Sequence, residues 1–114
     1  MTPSISTFIY PVKDLTGAKA LYGALLGVEP STDQPYYVEF RVGGQQLGLD
    51  PNGHGKGMTG PVGYVEVDDI EQRMRELLDA GAEQVQPVSD VGGGKLVATV
   101  KDADGNVTGL IQSP

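Results

Sequence analysis

The chain contains no cysteine, which removes disulfides, thiolate metal centres and cysteine nucleophiles together and fits the reducing cytoplasm. Basic residues are scarce: 8 Lys and Arg stand against 15 Asp and Glu, leaving a net charge of −7. Nucleic acids and anionic membranes need clustered cations to replace counterions, so neither is expected as a partner. Long apolar runs are missing too, none approaching the roughly 20 residues that cross a bilayer. The N-terminus lacks the charged and apolar regions of a secretion signal, and a cytoplasmic protein is expected. The single histidine, His54, lies in a glycine-rich stretch where it is expected to be solvated.

What is present suits a folded domain. With 114 residues, 39% of them apolar and 20% charged, the chain can form one domain or two small modules sharing a core. Residues 5–12 alternate and predict a strand, with Phe8, Tyr10 and Val12 toward a helix. That helix is expected over 15–26, capped by Asp14, with Leu15, Ala18, Leu21, Tyr22, Leu25 and Leu26 as its apolar stripe and Gly27 as its stop. A turn-rich stretch from Pro30 to Pro35 precedes a hairpin of residues 37–42 and 45–50 about Gly43-Gly44. Residues 51–61 show no periodicity and are expected to be a linker.

The pattern then restarts. Residues 62–67 predict a strand, and a helix follows with Ile70, Met74, Leu77 and Leu78, capped by Asp68 or Asp69, with Glu71 or Gln72 placed for a capping box and Gly81 as its stop. Strands are expected at 83–88, 96–100 and 107–112, the last after an Asp104-Gly105-Asn106 turn. Val12-Lys13-Asp14-Leu15 and Val67-Asp68-Asp69-Ile70 occupy equivalent places, so the second half reads βαβββ. The first half does as well if a short strand lies near Val28. Repeats this short must pair to bury their sheets.

Two such repeats, with V-K-D-L opening the first helix, Leu25-Leu26-Gly27-Val28 closing it and Asp102-Ala103-Asp104-Gly105-Asn106 before the last strand, resemble the vicinal oxygen chelate superfamily. Glyoxalase I, extradiol dioxygenases and bleomycin-resistance proteins belong to it. The resemblance implies an α+β fold: one domain over 1–114, with module one at 1–50, a linker at 51–61 and module two at 62–114. Its two βαβββ modules would curl mixed sheets around a shared cavity, often completed by a homodimer.

Metal-using members hold a divalent cation five residues before the strand-ending valine and in the last strand of each module. By this resemblance the positions are Thr7, Gly48, Val62 and Gly109. A catalytic metal needs about three protein ligands, and three of these four side chains carry no donor. Metal-dependent chemistry is therefore not expected, nor is any cofactor.

Strand alternation then places Thr7, Ile9, Tyr37, Glu39, Arg41, Gln46 and Gly48 on the cavity side of module one. Val62, Tyr64, Glu66 and Gly109 do so in module two, with Thr99, Val107 and Ile111 as lesser candidates. The two glycines are expected to leave room where ligands stand in metal-using members. Aromatic area with two carboxylates and one guanidinium suits a flat, polar ligand. Glu39 and Arg41 equally fit a solvated surface pair worth under about 1 kcal/mol.

Two functions follow from these residues. The first is a metal-free small-molecule binding protein, similar to the drug-binding branch of the superfamily, taking a cationic or aromatic compound. The alternative is a glyoxalase- or dioxygenase-like enzyme acting on a small metabolite, with Glu39 or Glu66 as general base or with a metal held in another register.

Overall fold

The computed structural model describes residues 4–114; residues 1–3, which open module one in the sequence, lie outside them. In chain order the elements are β1 (Ser4–Pro11), α1 (Leu15–Leu26), β2 (Thr32–Gln34), β3 (Tyr37–Val42) and β4 (Gln45–Asp50), then a one-turn 3-10 helix (His54–Lys56). The second set is β5 (Val62–Glu66), α2 (Ile70–Asp79), β6 (Glu83–Asp90), β7 (Leu96–Lys101) and β8 (Val107–Gln112). Both halves are βαβββ. Contacts divide the chain into two compact units, Ser6–Val62 and Gly63–Pro114, the latter with Ser4 and Ile5.

Module one orders its strands β2-β3-β4-β1. Strand β1 runs parallel to β4, and the other pairs are antiparallel, so the sheet is mixed. Its core is Val38, Phe40 and Leu49, against which Tyr10, Val12, Leu15, Ala18, Tyr22 and Leu26 pack from β1 and α1. Module two repeats this as β5-β8-β7-β6, with β5 parallel to β8. Its core joins Val67, Ile70, Met74, Ala98, Val100 and Leu110. No helix among the described residues is long and apolar enough to cross a membrane.

Local chemistry explains most of the boundaries. The Asp14 carboxylate accepts from the Gly17 amide at 3.0 Å, and Gly27 ends α1 at φ 70°, its own N–H reaching the Gly23 carbonyl. Of the two candidate caps for α2, Asp69 is the one used, accepting from the Gln72 amide at 3.1 Å. The capping box does not form, because the Gln72 carboxamide donates forward to Glu76. Gly81, at φ 107°, follows the last turn.

Four expectations are corrected. The short strand of module one is Thr32–Gln34, not a segment near Val28; it registers against Tyr37, Val38 and Glu39, and both the amide and the hydroxyl of Ser31 hold the Glu39 carbonyl. The apolar stripe of α1 is narrower than expected, since Leu21 and Leu25 are 61% and 71% exposed. They precede Tyr22 and Leu26 by one position, a rotation of roughly 100° that carries them off the sheet. Phe8, expected to face the helix with Tyr10 and Val12, is 39% exposed.

The fourth correction is the linker, which is anchored to module one. Asp50, 4% exposed, accepts from Lys56 Nζ at 2.7 Å and from the Asn52 amide at 2.8 Å. Gly53 passes so close to Pro11 that a Cβ there would stand 2.7 Å from the proline Cβ, and Met58 is buried. His54 is exposed within this segment, as expected.

Candidate functional site

On the face of module one opposite α1, cross-strand register gathers the expected residues into two rows. Thr7, Gln46 and Arg41 form one; Ile9, Gly48, Glu39 and Thr32 form the next. Thr7 Oγ1 donates to Gln46 Oε1 at 3.1 Å. Glu39 is the centre of the set. Only 6% exposed, it accepts from the Tyr37 hydroxyl at 3.0 Å, while Arg41 Nε stands 3.6 Å from its other oxygen. Arg41 itself is mostly exposed, so this pair has one buried and one solvated member. A carboxylate is costly to bury unless paired, and here a neutral O–H and a solvated guanidinium share that task.

The same face in module two carries Tyr64, Gly109, Thr99 and Gln86 in one row. Glu66 and Ile111 start the next. Glu66 Oε1 accepts from the Ser113 hydroxyl at 2.6 Å and the Ser113 amide at 3.2 Å. It ties down the C-terminal residues. Val62 is buried and apolar.

The glycines at 48 and 109 do not leave room. A Cβ on Gly48 would meet the ring end of Tyr37, with Cε1 and Cζ at 2.8 Å, and one on Gly109 would stand 2.6 Å from Tyr64 Cγ. Neither glycine has a positive φ, so the backbone does not demand glycine there; the overlying ring does. Thr7, Gly48, Val62 and Gly109 therefore do not fit a metal ion: three have no donor, the Thr7 hydroxyl bonds Gln46, and tyrosine rings fill the space above both glycines. Among the described residues no group of three or more His, Cys, Asp or Glu side chains could hold one.

Two clefts open elsewhere, beside α1. One, of about 270 Å³, is lined by Leu15, Thr16, Lys19 and Asp33; the other, of about 440 Å³, by Ala20, Gly23, Val28 and Phe40. Neither lies on the Glu39 face. Lys19 and Asp33 form an ion pair at 2.9 Å.

Sequence reasoning missed one polar residue of this framework and ranked another low. Asp50 lies buried at the end of β4, and its signal is the turn-forming Asp50-Pro51-Asn52-Gly53 run. Thr99, weighed only as a lesser candidate, is buried with its Oγ1 unpartnered. No local pattern announces that.

The model of the Glyoxalase/Bleomycin resistance protein/Dioxygenase superfamily matches residues 4–110, and the chain belongs to that superfamily. No curated protein matches. Among solved structures, a superfamily member from Vibrio splendidus 12B01 is 19% identical with a TM-score of 0.69, covering 98% of this chain and 100% of that one. The Mn(II)-bound glyoxalase from Novosphingobium aromaticivorans is 18% identical at TM-score 0.69, covering 95% of this chain and 38% of its own. Methylmalonyl-CoA epimerase from Mycobacterium tuberculosis is 19% identical at TM-score 0.65, covering 96% and 88%. At these identities the likeness is one of fold: α+β, with the glyoxalase/bleomycin-resistance architecture.

Proposed function

We propose that this member of the superfamily is a metal-free binding protein for a small cationic or aromatic molecule. The observation that carries the reading is Glu39, a buried carboxylate on the sheet face away from α1, held in place by the Tyr37 hydroxyl. A net charge of −7 favours a cation, and the unfit donor set at the superfamily's metal positions supports binding without a metal. The reading includes a homodimer, supported by exposed Leu21 and Leu25 on an almost uncharged helix.

Thermal unfolding with a panel of cationic aromatic compounds tests it. Ligand at about 100 times Kd should add roughly 2.7 kcal/mol, and Glu39→Gln should abolish the gain. No stabilisation by any compound, or stoichiometric metal in protein purified without chelators, would overturn the proposal.

A second reading makes the protein an enzyme, with Glu39 as a general base that takes a proton from carbon beside a carbonyl. The Tyr37–Glu39 contact favours it by orientation, since a general base must be held within reach of the proton it takes. Under that reading Glu39→Gln keeps the ligand and loses solvent deuterium exchange into it; under the first, binding itself is lost.

A further inference from the structure

Thr99 of module two stands apart among the buried polar residues. It is 3% exposed, and its Oγ1 has no hydrogen-bond partner. Its neighbours Ala98 and Val100 pack in the core beneath α2, so strand alternation turns Thr99 to the other face, in the row of Tyr64, Gly109 and Gln86. Buried polar atoms are paired in the great majority of cases, and an unpaired hydroxyl costs stability. Valine would have the same shape without that cost. The register of β6 also shifts on both sides of Gln86, the residue facing Thr99, and bulges of this kind re-aim side chains beside sites.

We infer that Thr99 is a ligand-binding residue of module two, its hydroxyl donating to the oxygen of a neutral carbonyl or carboxamide group. This rests on the small-molecule reading and adds the ligand chemistry of the second module. The row carries a phenol, a hydroxyl and a carboxamide but no charge, so it offers an ionic group no compensation for lost water. A carbonyl oxygen, by contrast, satisfies the buried hydroxyl directly. The Tyr64 ring overlies Gly109, which sits between Tyr64 and Thr99 in the row.

The test uses the full chain with benzamide, acetophenone and benzoate as probes, beside a cationic naphthylmethylammonium probe, on wild type, Thr99→Val and Thr99→Ser. In the free protein Thr99→Val should raise Tm by about 4 °C, because the unsatisfied hydroxyl is gone. Titration calorimetry should show it weakening benzamide and acetophenone by about tenfold, while Thr99→Ser keeps both and benzoate binds none of the three. A lowered Tm in Thr99→Val, undiminished binding of the neutral probes to it, or no binding of either to wild type would each overturn the inference. Stabilisation by the cationic probe alone would overturn this inference and leave the binding function standing; stabilisation by no probe removes both.

Discussion

The two modules share a backbone plan and differ in what they do with it. Glu39 and Thr99 are equivalents, each the antiparallel partner of the last-strand glycine, Gly48 or Gly109. In module one that position is a carboxylate engaged by Tyr37 and Arg41; in module two it is a neutral hydroxyl without a partner. A tyrosine covers the glycine in both, but by different routes. Tyr37 reaches Gly48 diagonally from the antiparallel neighbour, with its ring end, whereas Tyr64 faces Gly109 directly across a parallel pair and lies on it from the ring base. The helices differ as well: α2 is charged outside and buries Ile70 and Met74, while α1 has one charge and no fully buried residue. Register is therefore what the halves have in common, and side-chain chemistry is free to diverge on it.

The largest expected effect tests whether module one, with its small core, depends on a single side chain. Phe40 is fully buried beneath Gly23 of α1, so Phe40→Ala should cost about 3–5 kcal/mol in denaturant unfolding. A cost under about 1 kcal/mol would show that the neighbouring cleft collapses to fill the hole.

Next comes the pair of covered glycines. Gly109→Ala should cost about 2–3 kcal/mol, since the base of the Tyr64 ring cannot move away, and Gly48→Ala about 1 kcal/mol, since the far end of Tyr37 can. Tyr64→Ala should relieve much of the first penalty in the double variant, a non-additivity that denaturant unfolding reads directly. Equal costs at the two glycines would erase the distinction drawn between the two routes.

The smallest effect separates the hairpin turns. Module two turns through residues 102–106, where Asp102 accepts from the Asn106 carboxamide and from the Asn106 and Asp104 amides. The Asn106 side chain, first among these bonds, holds the Asp102 carboxyl below its ordinary pKa. A lowered folded pKa means that the turn's contribution is complete above the ordinary value and is lost as pH falls through the lowered one. Asn106→Ala should move the Asp102 titration upward, seen in the carboxyl carbon shift by NMR, and loosen the turn at a higher pH. Module one turns through Gly43-Gly44, without a side-chain carboxylate, and should show no such dependence.

Much of this was legible in the residues themselves. Alternation placed Tyr37, Glu39 and Arg41 together on one face of their strand, because period two is a property of the strand alone. Capping placed both ends of α1 for a similar reason, the bonds spanning only a few residues. The errors fall where a contact depends on a distant partner. Leu21 and Leu25 look like core until the sheet defines which arc of α1 is covered, and no pattern near Glu66 announces its bond to Ser113. Asp50 and Lys56 turn an apparent linker into an anchored segment.

By itself, then, the sequence determined the duplicated βαβββ plan, the family and the absence of a metal donor set at Thr7, Gly48, Val62 and Gly109, three of which carry no donor atom. Those follow from residue identity and short-range periodicity. Only the tertiary structure decided that tyrosine rings occupy the space above both glycines, that Glu39 is buried and engaged, and that the Thr99 hydroxyl is buried and unpartnered. The reason is register: which side chains meet across neighbouring strands depends on pairings between residues far apart in the chain, and no local pattern encodes them.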